Sequence, residues 1–428
     1  MIVYLDNAST TKPCEAAIAA SLDALTSVYG NPSSAHSMGE EAERVVKRAR
    51  GAVADALGAR PGNIVFTGSG TESDNLALYS VFKNPKRVAE GRVFISAVEH
   101  PAVKAPSARL GELGADVSVV PVDDRGVIDL GALEHSLEET LGCDGAGRIL
   151  ISVMHVNNEL GTILPIADLA RVKSRVAEKM GARIILHTDA IQSYLKLPID
   201  VESNEGCGGF AGVDLLTFSA HKAHGPKGVG ALYAAEPEKL APLIRGGGQE
   251  GSVRSGTENV PGIAGFGAAA SEYADDGTDA SVEDEERVGS REAAERAASL
   301  RSLLLEGIRD AISDVRVNSP EDASATGEAG CCSPYVLNVS FLGTRGEVIL
   351  HDLEQRGVFV STGSACSNIG KGEKRTNPVL AAVGLTPDEA AGAIRLSLSR
   401  YNTEDEIYYA VEQLKAVVTR FRRVGVMR

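Results

Sequence analysis

The chain has 428 residues, 43% of them hydrophobic, which is enough for two or three globular domains. A formal net charge of -15 argues against a surface built to bind nucleic acid, and no apolar run approaches the roughly 20 residues that cross a membrane. The first residues show no basic region and no cleavable apolar segment, so we expect a cytoplasmic protein. The six cysteines form no C-x-x-C pair, so neither a metal site nor a disulfide framework is predicted.

Helical and strand patterns alternate from about residue 16 to residue 233. Alternation of this kind predicts an α/β fold whose sheet is mostly parallel and covered on both faces. Ligands of such sheets bind beyond the carboxyl ends of the strands. Helices are predicted at 37–57 and 71–82, and strands at 63–67, 93–97, 116–120, 149–154, 184–187, 214–218 and 229–233.

The composition and pattern of the sequence change after residue 261. An acidic stretch at 275–286 is interpreted as a solvated connection, and a Gly, Ala and Ser-rich stretch at 318–333 as a surface loop. Strands at 336–341, 358–361 and 393–399 and helices at 347–354 and from Glu404 then indicate a smaller α/β unit. We predict a large domain of residues 15–262 and a small domain composed of residues 1–14 and 263–428.

Lys222 lies at a polar tip between two apolar runs, with Ser219 and His221 beside it. A lysine at such a tip suits the Schiff base of a pyridoxal phosphate (PLP) enzyme. A solvated lysine in a hairpin loop fits this segment equally well. Asp189, at the end of another strand, could pair with a protonated pyridine nitrogen, although a helix N-cap would also use an aspartate there.

The turn at residues 67–73 follows a strand and opens a helix, so its backbone N–H groups and Thr71 could bind a phosphate. The same turn contains half of a dinucleotide-binding fingerprint. Glu99 follows the next strand, where such a fingerprint has an acidic residue, so an NAD site remains an alternative. His100 could stack on a flat cofactor and move protons, or could be an ordinary histidine at a strand end.

Three further positions carry polar groups that suit an amino acid substrate. Asn157 and Asn158 lie in a turn that could bind a carboxylate, but turns favour asparagine in any case. Arg395 lies on an apolar strand and needs an anion, which could be a substrate carboxylate or an internal salt bridge. Cys366 lies in a loop of small residues followed by basic ones, which would favour its thiolate.

Together these segments resemble, over nearly the whole chain, the NifS/IscS-type cysteine desulfurases. These are fold-type I PLP enzymes of the class V aminotransferase group, with a mostly parallel seven-stranded sheet in the large domain. The matching motifs occur in the family's order: Leu5-Asp-Asn-Ala-Ser-Thr-Thr11, Gly70-Thr-Glu-Ser73, Glu99-His100, Asn157-Asn-Glu-Leu-Gly161, His187-Thr-Asp-Ala-Ile-Gln192, Ser219-Ala-His-Lys222, Arg254-Ser-Gly-Thr257 and Ser364-Ala-Cys366.

The resemblance implies a role for each matching residue in a homodimer. Lys222 would form the Schiff base, His100 would stack on the ring and handle protons, and Asp189 and Gln192 would bind the ring nitrogen and hydroxyl. The phosphate would be held by Gly70, Thr71, Ser219 and His221, and by Thr257 from the partner subunit. Asn158 and Arg395 would bind the substrate carboxylate, and Cys366 would be the nucleophile.

The activity implied is conversion of L-cysteine to L-alanine, with the sulfur passing to Cys366 as a persulfide and then to an acceptor protein. Iron–sulfur assembly, tRNA thiolation and cofactor sulfuration all remain open as its use. The alternatives are selenocysteine lysis, aminotransfer, kynureninase-like cleavage, an NAD-dependent oxidoreductase and a non-catalytic scaffold. Ser9 stands where the family more commonly has alanine, a difference we expect to be harmless, and residues 202–212 form an insert.

Overall fold

Seven strands form the central sheet of the computed structural model, which describes residues 1–142, 147–273, 290–362 and 377–426. Their order across the sheet is β2-β8-β7-β6-β5-β3-β4, and only β8 runs antiparallel to its neighbours. The predicted mostly parallel seven-stranded sheet is therefore confirmed. After β1 (Val3–Tyr4), the strands are β2 (Ile64–Thr67), β3 (Arg92–Ser96), β4 (Asp116–Val120), β5 (Ile149–Ser152), β6 (Ile184–Asp189), β7 (Leu215–Ser219) and β8 (Gly230–Ala234).

Helices cover both faces of this sheet. In β2, Ile64 and Phe66 belong to one apolar cluster and Val65 to another, as the two-residue period of a strand requires when both faces are buried. The helices of this part are α1 (Glu15–Thr26), α2 (Ser37–Asp55), α3 (Gly70–Val81), α4 (Pro101–Glu112), α5 (Leu130–Gly142), α6 (Ile166–Met180) and α7 (Val260–Tyr273).

A second, smaller unit has its own apolar core, which includes Leu304, Leu337, Ile394 and Leu414. Its antiparallel sheet has the order β12-β10-β9, and β1 pairs in parallel with β11 beside it. Its elements are α8 (Ser290–Ala311), β9 (Val315–Val317), β10 (Val336–Phe341), α9 (Gly346–Gln355), β11 (Val358–Phe359), α10 (Pro378–Ala382), α11 (Pro387–Ala391), β12 (Ala393–Ser397) and α12 (Glu404–Val426).

The domain limits given above remain a prediction. Val3 and Leu5 do pack in the core of the smaller unit, as the discontinuous small domain would require. Helix α7 packs against α1 and α2, and Phe266 shares their core cluster, which is a reason to place the limit after residue 273 rather than at 262. The predicted surface loop at 318–333 is partly interior, since Cys332 is fully buried and bridges to Thr162.

Residues 6–11, here called the N-terminal strap, connect the smaller unit to the large sheet. Asn7 donates from Nδ2 to the carbonyl of Ser397 at 2.9 Å, and the backbone N–H of Thr11 donates to the carbonyl of His221 at 2.8 Å. The strap therefore lies over the turn that follows β7. No helix among the described residues is long and apolar enough to cross a membrane.

Candidate active site

A cavity of about 360 Å³ lies at the carboxyl ends of the parallel strands, between the large sheet, the N-terminal strap and β12. Its volume is in the range of small-ligand sites. It brings together most of the site residues predicted from sequence. Those lining it are Gly70, Thr71, His100, Asn158, Asp189, Gln192, Ser219, His221, Lys222 and Arg395.

Lys222 lies in the turn after β7, but the tip is not the exposed hairpin loop that the sequence also allowed. The N-terminal strap covers it, and Nζ donates to the carbonyl oxygens of Ala8 and Ser9, each at 2.6 Å. Burial, reinforced by the positive charge of Arg395, lowers the pKa of Lys222 to about 8. About one tenth of this amine is therefore uncharged at pH 7, far more than for an ordinary lysine, and the uncharged form is the nucleophile.

Asp189 ends β6 with its carboxylate on the cavity wall. One oxygen, Oδ1, accepts the backbone N–H of Ile191 at 2.9 Å, which is the local bond expected of a turn aspartate. Burial raises the pKa of this carboxyl to about 6, so it is an anion at neutral pH that would be stabilised by a cationic partner. Gln192 is fixed three residues after Asp189, where its Nε2 donates to the carbonyl of Ala8 at 2.9 Å.

A fully buried polar group lies behind Asp189. His187 contacts Ser152 Oγ at 2.8 Å and Thr217 Oγ1 at 3.0 Å, and its Nε2 is 3.6 Å from Asp74 Oδ1. Burial lowers the pKa of His187 to about 3, so its ring is uncharged at neutral pH, and burial raises the pKa of Asp74 well above its ordinary value. Asp74 was not predicted, because an aspartate inside a helical pattern gives no functional signal.

The start of α3 also lines the cavity, together with Ser219 and His221. The first N–H groups of a helix have no intrahelical acceptor and attract anions. Ser219 Oγ is buried and has no hydrogen-bond partner among the described residues. A buried hydroxyl without a partner at a helix start suits a phosphate. His221 is held by its Nδ1, which lies 3.2 Å from Thr10 Oγ1 of the strap.

His100 is the N-cap of α4 and lines the same cavity. Its Nδ1 accepts the backbone N–H of Ala102 at 3.1 Å, so the neutral ring carries its proton on Nε2. Burial lowers the pKa of His100 to about 4, and the positive charge of Lys222 acts in the same direction. The ring is therefore uncharged at neutral pH and can take up a proton only where a strong anion develops.

Arg395 on β12 lines the cavity and has carboxylate neighbours, so the internal salt bridge considered for it is present, and its binding of a substrate carboxylate stays a prediction. Its Nη2 donates to Asp6 Oδ1 at 2.9 Å, and its Nη1 donates to the carbonyl of Asn158 at 3.0 Å and lies 3.6 Å from Glu159 Oε1. Of the two adjacent asparagines only Asn158 reaches the cavity. The Asn157 amide is buried and binds the carbonyl of Val98 at 3.0 Å.

Two further residues singled out from sequence, Thr257 and Glu99, do not line this cavity in the part of the chain that the structure describes. Thr257 is exposed and away from it. Cys366 lies outside the described residues. Glu99 is buried and accepts hydrogen bonds from Ser96 Oγ at 2.5 Å and Met154 N at 2.9 Å, so the acidic group needed for an NAD ribose is not offered to this cavity. Ser9 of the strap lines the cavity without having been assigned a role; the signal for it was the motif at residues 5–11.

Residues 3–409 match the family described as aminotransferase class-V, and the chain belongs to that family. It is 38% identical to cysteine desulfurase IscS 1 of Archaeoglobus fulgidus over 99% of this chain and 98% of the relative. It is 37% identical to cysteine desulfurase IscS of Dictyoglomus turgidum over 99% of this chain and 96% of the relative.

Solved structures agree with the fold. A NifS-like protein superposes with a TM-score of 0.80 at 35% identity, covering 98% of this chain and 100% of that one. SspA in complex with cysteine superposes with a TM-score of 0.72 at 32% identity, covering 94% of this chain and 100% of that one. The family is PLP-dependent. The Lys222 amine, the Asp189 carboxylate and the unpartnered Ser219 hydroxyl, which all line this cavity, fit that cofactor.

Proposed function

We propose that the protein is a PLP-dependent cysteine desulfurase that converts L-cysteine to L-alanine. The observation that carries the proposal is the convergence of Lys222, Asp189, Ser219 and Arg395 on one cavity. These side chains supply an amine, an anion, a phosphate-binding hydroxyl and a carboxylate-binding cation. The names of the full-length relatives support the same activity.

The proposed cofactor contacts follow from the positions of the side chains. Lys222 would hold PLP through its amine, Asp189 would pair with the ring nitrogen, and Gln192 would bind the ring hydroxyl. Gly70, Thr71, Ser219 and His221 would bind the phosphate at the start of α3, and His100 would stack on the ring. Asn158 and Arg395 would orient the substrate carboxylate.

Bound PLP supplies an electron sink for negative charge at the substrate Cα. The protein residues hold and move the protons. Lys222, with its pKa lowered to about 8, would take the Cα proton once its amine is free. Asp189, whose pKa of about 6 leaves it ionised at neutral pH, would keep the ring nitrogen protonated. Because His100 is neutral, it would carry a proton on Nε2 over the reacting centre.

Cys366 remains the proposed sulfur acceptor on sequence grounds alone, since it lies outside the described residues. Its thiolate would attack the substrate sulfur, forming an S–S bond while the Cβ–S bond breaks and protons from solvent complete alanine. The persulfide would then pass to an acceptor protein, with iron–sulfur assembly as the use suggested by the IscS relatives. A cytoplasmic location is also kept as part of this proposal.

The test is an assay of alanine and protein-bound persulfide formed from L-cysteine. We expect both products from the wild type, neither from Lys222→Ala, and loss of persulfide and sulfur release from Cys366→Ser. Lys227→Ala is the matched control, because Lys227 is exposed in the next turn and outside the cavity. Full alanine formation by Lys222→Ala, or none by the wild type, would contradict the proposal.

A homodimer belongs to the same proposal. Ile18, Leu22 and Leu25 on α1 are 49%, 57% and 62% exposed and share one helix face, which is costly in a monomer. Thr257 is exposed as well, and would reach the phosphate bound by the partner subunit. A symmetric pair would place two such threonines at two sites.

Mixed dimers distinguish this arrangement from one in which Thr257 serves its own subunit. A dimer of one Lys222→Ala and one Thr257→Ala subunit then has one site with both lesions and one intact site. We expect co-purified mixed dimers to hold about half the PLP of the wild type at wild-type affinity. If no site of wild-type affinity forms, Thr257 does not act across an interface.

A further inference from the structure

The hydroxyl of Ser9 is bonded to the guanidinium that lines the cavity. Arg395 Nη2 donates to Ser9 Oγ at 2.7 Å, and the same hydroxyl donates to Asp6 Oδ1 at 2.7 Å. The Ser9 backbone is held as well, since its N–H donates to the carbonyl of Asp6 at 3.0 Å and its carbonyl accepts from Lys222 Nζ. Ser9 therefore cannot drift away from Arg395 without disturbing the strap.

Three of the five N–H donors of Arg395, including both on Nη2, make hydrogen bonds before any substrate binds, whereas Nε has no partner among the described residues. Nη2 carries two N–H groups, and the bonds to Asp6 and Ser9 use both. A carboxylate that binds a guanidinium in a two-pronged fork uses Nη2 together with either Nη1 or Nε. Either fork therefore needs one Nη2 donor to be released.

Of the two hydrogen bonds from Nη2, the one to Ser9 costs less free energy to break. The bond from Arg395 to the Asp6 carboxylate joins two opposite charges and is stronger than a bond from the same guanidinium to a neutral hydroxyl. Ser9 also keeps its own bond to Asp6 Oδ1 after Nη2 leaves it. An incoming carboxylate would thus replace Ser9 at Nη2 and leave Asp6 in place.

We propose that Ser9 lowers the affinity of the site for the substrate α-carboxylate by holding the Arg395 N–H that the carboxylate takes. This inference rests on the proposed function, in which Arg395 binds the substrate carboxylate. Serine at position 9 would then change substrate affinity, in contrast to the expectation that this difference from the family is harmless. With alanine at position 9 the donor is left without a partner in the free enzyme, so binding has one hydrogen bond fewer to break.

The test compares two probes that do not turn over, L-alanine and L-alaninamide, which carries a neutral amide instead of the carboxylate. Each is titrated into PLP-loaded wild type, Ser9→Ala and Ser9→Thr by calorimetry. We expect Ser9→Ala to bind L-alanine about three- to tenfold more tightly, the size of one such bond, and L-alaninamide as the wild type does. Ser9→Thr keeps the hydroxyl and should match the wild type.

Damage to the strap would act in the other direction, because a loosened Arg395 binds its ligand more weakly. Weaker or unchanged L-alanine binding by Ser9→Ala overturns the inference, and so does an equal gain for both probes. Ser299→Ala, in an exposed position on α8, controls for removal of a hydroxyl elsewhere. The titration does not depend on desulfuration. If the wild type binds L-alanine more tightly than L-alaninamide, the site recognises the carboxylate, and comparison of the variants then tests Ser9 even if cysteine is not the substrate.

Discussion

Replacing Gly230 with alanine tests whether the start of α3 holds the cofactor phosphate. Gly230 lies in β8 directly behind that helix start, and a Cβ atom there would be 2.6 Å from the carbonyl carbon of Ser69 and 2.8 Å from the nitrogen of Gly70. Ordinary contact begins at 3.4 Å, so the two backbones must separate by about 0.8 Å. Both contacting atoms belong to the main chain, so no side-chain rotation relieves the overlap.

Overlap of this kind costs about 1–3 kcal/mol of unfolding free energy. The displacement also moves the N–H groups that would bind the phosphate, and we expect PLP affinity to fall at least about tenfold, or about 1.4 kcal/mol. PLP dissociation constants come from absorbance titration of apo-protein, and stability from urea unfolding of the same preparations.

Gly51→Ala in α2 is the matched control, because nothing lies within 4 Å of a Cβ atom at that position. It should stabilise the protein by about 0.5–1 kcal/mol, as alanine does in a helix interior, and leave PLP affinity unchanged. A Gly230→Ala protein that binds PLP with the wild-type dissociation constant would refute the assignment of the phosphate to this helix start.

Three further predictions follow from buried charges. Asp189→Asn should lower kcat for alanine formation at least about 100-fold, since the ring nitrogen loses its anion; a loss below tenfold would remove Asp189 from that role. Burial lowers the Lys222 pKa from 10.5 to about 8, so between those pH values the unfolded chain binds one proton more than the folded chain. In urea unfolding of the apo-proteins, the unfolding free energy of the wild type should therefore rise relative to that of Lys222→Met from pH 8 to pH 10.5, and the difference should stay constant below pH 8. A difference that is the same at every pH would contradict the lowered pKa. Arg301 is fully buried and donates to three backbone carbonyls at 2.7–2.9 Å, so Arg301→Met should lower the free energy of unfolding by at least about 2 kcal/mol. Arg291 lies on the same helix with a 72% exposed side chain, so Arg291→Met should change that free energy by less than about 0.5 kcal/mol.

Local patterns in the sequence were sufficient for the elements and for much of the site. The strands at 116–120 and 336–341 lie where the apolar runs predict them, and the remaining boundaries differ by at most a few residues. Asp189, His100 and Ser219 could be assigned to one site because each follows a strand, and the carboxyl ends of parallel strands meet at one edge of a sheet. Those inferences need only the periodicity of burial and a rule of topology.

Other features depend on contacts that local patterns do not encode. The burial of Lys222 comes from the N-terminal strap, whose residues lie more than 200 positions away in sequence. The buried pair of His187 and Asp74 joins β6 to α3, and a helical aspartate in isolation predicts only an exposed surface.

Arg395 shows most clearly where sequence ended and tertiary structure decided. The sequence determined that an arginine on an apolar strand needs an anion, because burying an unpaired charge costs free energy. It left open whether that anion is a substrate or a neighbour. Only the packing of β1 and β12 in one small unit brings Asp6 and Ser9 to the guanidinium across more than 380 residues, so the tertiary structure supplies a neighbouring anion that the local sequence could not identify.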